Sequence, residues 1–138
     1  MALGYSQGAG AYQQVRTQGG IETADPHGLI TMLMDGALER MRFARGCIAT
    51  GNVAGKGEAI SKALEIVGGL QSALNPEVKT PLVNQLDALY DYMSRRLLEA
   101  NVHSDPEALD EVSRLLGQIR QSWVAIPVEA RQVAGAGA

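Results

Sequence analysis

Apolar side chains recur along this chain at helical spacing in four separate stretches. In the first, Ile30, Leu33, Met34, Ala37, Leu38, Met41, Ala44 and Ile48 follow one another at steps of 3, 1, 3, 1, 3, 3 and 4. That keeps one face apolar for about five turns of a 3.6-residue helix. Thr23-Ala24-Asp25-Pro26 opens it with a side-chain acceptor ahead of a proline whose missing N–H would be unpaired anyway. Gly51-Asn52 stops it after Thr50.

The second stretch, residues 53–74, repeats Ile60, Ala63, Leu64, Val67, Leu70 and Leu74 and ends at Asn75-Pro76. The adjacent Gly68 and Gly69 weaken it by about 1 kcal/mol each relative to alanine. The third opens at Thr80-Pro81, carries Leu82, Leu86, Leu89, Tyr90, Met93, Leu97 and Ala100, and ends near Asn101. The fourth opens at Ser104-Asp105-Pro106, carries Leu109, Val112, Leu116, Ile119, Trp123 and Ile126, and stops at Pro127.

Connections this short leave no room for a crossover, so each helix must return along its predecessor. The pattern predicts an all-α fold, an antiparallel up-down-up-down four-helix bundle over residues 23–127. Residues 1–22 hold Gly4, Gly8, Gly10, Gly19 and Gly20 and show no period, which predicts a flexible N-terminal arm. Residues 128–138 close on Ala134-Gly135-Ala136-Gly137-Ala138 and are expected to be a disordered tail.

Composition narrows the function classes. With 12 Lys and Arg against 15 Asp and Glu, and no block of like charge, there is no footprint for a phosphate backbone, so no nucleic acid is expected as a partner. The 138 residues contain no apolar run near the roughly 18 that span a bilayer, and no signal-peptide pattern, so no direct membrane insertion is expected. The lone Cys47 fits a reducing cytoplasm, the expected location, and reads as a semi-buried inert thiol.

No constellation for chemistry emerges. A di-iron bundle needs two Glu-x-x-His copies, and the nearest approach is Glu99 with His103 at a helix end. His27 reads as a local hydrogen-bonder. Asp87, Asp91 and Glu99, with Arg95 and Arg96, read as a salt-laced outer face. No enzyme activity, cofactor or metal is expected.

What remains is surplus apolar surface. The first helix carries a second stripe at Leu29, Met32, Gly36, Phe43 and Cys47, roughly 120–140° around from the first. The second helix adds Ile66, and the third adds Tyr92 and Leu98. Apolar flanks of this kind suit a groove for an amphipathic helix from a partner, and Tyr12, Val15 and Ile21 would let the arm fold back over it.

The ordered set Ala11-Tyr12-Gln13-Gln14-Val15, Pro26-His27-Gly28-Leu29-Ile30, Met34-Asp35-Gly36-Ala37-Leu38 and Lys56-Gly57-Glu58-Ala59-Ile60-Ser61-Lys62-Ala63 resembles the FliS family of bacterial flagellin export chaperones. So do Leu86-Asp87-Ala88-Leu89-Tyr90-Asp91-Tyr92-Met93 and Arg96-Leu97-Leu98-Glu99-Ala100-Asn101, followed by Asp105-Pro106 and Trp123. The resemblance covers residues 11–126. It implies a cytoplasmic type III export chaperone that binds the disordered C-terminal segment of flagellin, prevents its premature polymerisation and hands it to the flagellar export gate. It also implies that the arm, through Tyr12, caps part of the flagellin groove. The family commonly has Tyr or Phe at Met34 and a basic residue at Gly28. The alternative reading is a self-associating bundle, a homodimer through the flank stripes, or an adaptor for a different amphipathic-helix client.

Overall fold

The computed structural model describes residues 25–75 and 77–130. Four helices follow in chain order: α1 Pro26–Thr50, α2 Val53–Ser72, α3 Pro81–His103 and α4 Pro106–Val124, with a short 3-10 turn at Val128–Ala130. Each of α1, α3 and α4 starts with proline in its first turn behind a capping side chain. The caps are Asp25, which accepts from Gly28 N, Thr80, which accepts from Val83 N, and Asp105, which accepts from Glu107 N. Asn52 caps α2 by accepting from Gly55 N.

The α1–α2 connection is only Gly51 and Asn52. Gly51 adopts φ 74°, a left-handed position that glycine takes at no steric cost, and Asn52 N then donates to Cys47 O. The α3–α4 connection is equally short, and Ser104 takes the left-handed position there at φ 47°. The longer α2–α3 link spans 73–80.

α1 packs on α2 and α4, and α3 packs on the same two helices, so α1 and α3 stand on one diagonal of the bundle. This is the up-down-up-down order that the short connections predict. The core is Leu33, Met34, Ala37, Met41 and Ala44 of α1, Ala59, Ile60, Ala63, Val67 and Leu70 of α2, Tyr90, Met93, Leu97 and Ala100 of α3, and Ala108, Leu109, Val112 and Leu116 of α4. Ile30, Leu38, Ile48, Leu64, Leu74, Leu86, Leu89, Ile119 and Trp123 border it, half-buried. Leu82 departs from the expected stripe: at the first turn of α3 it is 64% exposed, because the helix has not yet reached its neighbours.

Candidate functional site

Among the described residues no group of three His, Cys, Asp or Glu side chains is placed to hold a metal, and no helix is long and apolar enough to cross a membrane. The described surface offers apolar side chains and polar stitches between helices.

Leu29, Met32, Gly36, Phe43 and Cys47 stand on one face of α1, spaced by 3, 4, 7 and 4 residues. This face borders α2, because a Cβ built on Gly36 would lie 3.5 Å from Ile66 Cδ1. Leu29 and Cys47 are buried at the two ends of the stripe. Gly36 and Ile66 are half-buried, while Met32 and Phe43 stand out at 41% and 58% exposure. Of the six flank residues expected along α1 and α2, Leu29 and Cys47 therefore belong to the buried floor. Met34 is core, so this difference from the resembled family changes packing inside the bundle and not its surface.

Tyr92 and Leu98 lie elsewhere. Tyr92 Oη donates to Glu111 Oε2 at 2.7 Å across the α3–α4 seam, and Arg96 Nε donates to the other carboxylate oxygen at 2.7 Å. The two hydrogen bonds, Tyr92 first and Arg96 second, hold the Glu111 carboxyl below the usual carboxylate range, and the bond to Glu111 pushes the Tyr92 phenol up. Leu98 is 53% exposed on α3, and Val102 one turn later is exposed too. The described residues of the expected site thus divide between the α1–α2 flank and α3, where Tyr92 binds across to α4. Tyr12, Val15 and Ile21 lie outside the described residues.

The α1–α4 seam is stitched at three levels. Arg45 forks onto Asp110, Nε to Oδ1 at 2.7 Å and Nη2 to Oδ2 at 3.0 Å, which lowers the Asp110 carboxyl and raises the guanidinium. Arg120 forks onto Asp35 from the other helix. At the end of the bundle His27 Nε2 bonds Trp123 O at 2.6 Å, Trp123 Nε1 donates to His27 O at 3.0 Å, and the two rings stack with centroids 4.6 Å apart. His27 is thus a long-range partner of α4 and not the local hydrogen-bonder its position suggests. The α2–α3 seam carries Gln71, whose Nε2 donates to both Asp87 Oδ1 and Asp91 Oδ1. The acidic row on α3 is therefore an interhelix contact as well as an outer face.

Sequence reasoning missed Lys56, Glu111 and the exposed Val53 and Val102. Val102 had a signal, since it follows Leu98 by four residues and shares its face. Lys56 had none, because its burial depends on where another helix ends.

The model of the family described as flagellar protein FliS matches residues 8–130. The chain is similar to flagellar secretion chaperone FliSB of Pseudomonas aeruginosa, 45% identical over 115 residues that span 83% of this chain and 91% of the relative. It is also similar to flagellar secretion chaperone FliS of Salmonella typhimurium, 42% identical over 126 residues, 91% of this chain and 93% of that one. The relative of the same name in Bacillus subtilis is 35% identical over 92% of each chain. With a match of this extent and a helical bundle that carries apolar flanks, the chain belongs to the FliS family, a family of secretion chaperones and not of enzymes.

Proposed function

We propose that this chain is a cytoplasmic flagellar export chaperone whose client is the disordered C-terminal segment of flagellin. One observation carries the reading in this chain: Phe43, its only phenylalanine, stands 58% exposed on the same face of α1 as Met32, about three turns earlier, a face that the bundle leaves partly uncovered. Aromatic and thioether side chains left in water on a folded surface suit the apolar face of a client helix.

In this reading the client orders on binding. Burial of apolar surface drives association, while ordering the segment costs about 2–5 kcal/mol, so the complex holds flagellin unpolymerised yet releases it at the export gate. Leu29 and Ile66 form the floor, Gly36 lets a client backbone come close, and Met32 and Phe43 form the rim. Tyr92 and Leu98 belong to a second contact on the α3 side. The arm, through Tyr12, Val15 and Ile21, caps the groove until the client displaces it.

The test is a calorimetric titration with the C-terminal segment of flagellin from the same cell, against a scrambled peptide. One-to-one binding with a strongly negative heat-capacity change supports the chaperone. No heat and no co-elution overturn it, and a concentration-dependent mass in light scattering would then favour a homodimer through the same flanks.

A further inference from the structure

Both helix ends that meet at the foot of the bundle are poorly specified by their own sequence. The first turn of α1 has no acidic residue and has Gly28 just inside it, so the Asp25 cap and Pro26 alone favour helix there. The last turn of α4 has no basic residue, and its C-cap is Ala125 in a right-handed conformation, without the glycine that would turn the chain and pair the last carbonyls. The two ends are tied to each other. The His27 ring nitrogen takes the Trp123 carbonyl, the Trp123 indole takes the His27 carbonyl, and the stacked rings lie between them.

This arrangement bears on the α1 flank. His27 is only 5% exposed, and Leu29 and Met32 follow it by two and five residues. The next tie between α1 and α4 is Asp35–Arg120, eight residues along α1, about 12 Å at the helical rise. Between these two ties Leu29, Leu33 and Met34 are buried against the bundle, and the clasp fixes the turn that leads into them and into Met32.

We propose that His27 and Trp123 are positioning residues for client binding: their reciprocal clasp presets the first turns of α1 in the binding-competent arrangement. The inference rests on the chaperone reading. Without the clasp the first turn frays, and the apparent affinity falls in proportion to the fraction still competent. If about a tenth remains ordered, affinity falls about tenfold.

The experiment titrates the flagellin C-terminal segment into the wild-type protein, His27→Ala, His27→Gln and Trp123→Phe, with Val112→Ala as a core variant of comparable loss in Tm. His27→Gln restores a side-chain N–H donor, and Trp123→Phe keeps a ring but loses the indole donor. The expected result is about a tenfold loss for His27→Ala, partial rescue by His27→Gln, and near wild-type affinity for Val112→Ala. Trp123 is the chain's only tryptophan, so a red-shifted emission in His27→Ala reports the opened clasp directly. Wild-type binding with undiminished affinity in both His27→Ala and Trp123→Phe overturns the inference alone, as does an equal loss in Val112→Ala. No binding by the wild-type protein overturns the chaperone reading and this inference with it.

Discussion

The ammonium of Lys56, buried near the start of α2, lies 2.8 Å from the main-chain carbonyl of Asn101 in the last turn of α3. A second donation, 2.6 Å to Ser104 Oγ, reaches the residue that ends that helix in a left-handed conformation. A cation at a helix C-terminus is favoured by the exposed carbonyl dipoles, and here it also ties two helices at the end of the bundle.

Lys56→Met keeps the stem that packs against the helices and removes the donors, leaving the half-buried Asn101 carbonyl without the ammonium. The expected loss is about 1–3 kcal/mol, seen as a lower denaturation midpoint with an unchanged slope. A midpoint equal to wild type would show that water replaces the ammonium at no cost.

Acid should weaken the α3–α4 seam. The folded-state pKa of Glu111 is depressed by Tyr92 and Arg96, so its contribution is fully present above the unfolded carboxyl value of 4.5 and is lost as pH falls through the lower folded value. Glu111→Gln removes that dependence. Melting temperatures recorded from pH 7 downward should converge for the two proteins, and curves that stay parallel to pH 2 would contradict the linkage.

The alkaline limb has the opposite sign. Burial pushes the Tyr90 phenol up to about 12, so the folded state holds this proton where an unfolded chain has already released it. Stability from this group is complete below pH 10 and falls as pH rises from 10 towards about 12. Tyr90→Phe should flatten this limb in alkaline melts, and an unchanged slope would place the loss on other groups.

The fold was legible because every level of the sequence agreed: apolar steps of three and four, prolines at three helix starts, and short connections that force antiparallel neighbours. Leu33, Met41, Val67, Met93 and Leu116 are core, as their periods require. The site was legible only in part. Periodicity placed Met32 and Phe43 on an uncovered face, yet it reads Leu29 as equivalent to them. Leu29 is buried while Met32, three residues on, is 41% exposed, a difference that depends on tertiary packing and that spacing alone does not carry. The clasp of His27 with Trp123 joins residues 96 positions apart, and the Lys56 cap reaches across 45, distances at which local pattern says nothing.

Two glycines of α2 should respond to alanine with opposite signs. A Cβ at Gly68 meets nothing within 4 Å, so Gly68→Ala gains helix propensity, up to about 1 kcal/mol. A Cβ at Gly55 would lie 2.9 Å from Cys47 Sγ and 2.6 Å from Asn52 Nδ2, and Asn52 would have to leave the rotamer that caps α2. Gly55→Ala should therefore lose about 1–2 kcal/mol despite the better propensity. Urea titrations of the two variants decide it, and a shared sign would mean that the α1–α2 turn yields more freely than its packing suggests.

Leu29 and Phe43 share one face of α1 and, on the proposed function, should separate folding from client binding. Leu29→Ala empties a buried site at the foot of the bundle and should cost about 2–5 kcal/mol, a clear fall in Tm. Phe43→Ala removes a ring already in water, so stability should stay within about 0.5 kcal/mol. In binding the order reverses: an aromatic anchor at an interface typically costs 2 kcal/mol or more when truncated, about a thirtyfold rise in Kd for the flagellin segment. Met32→Glu should act like Phe43→Ala, since it places a charge on the same rim. A stable Phe43→Ala protein that binds the client as tightly as wild type would move the contact off the α1–α2 flank and onto the α3 face around Leu98 and Val102.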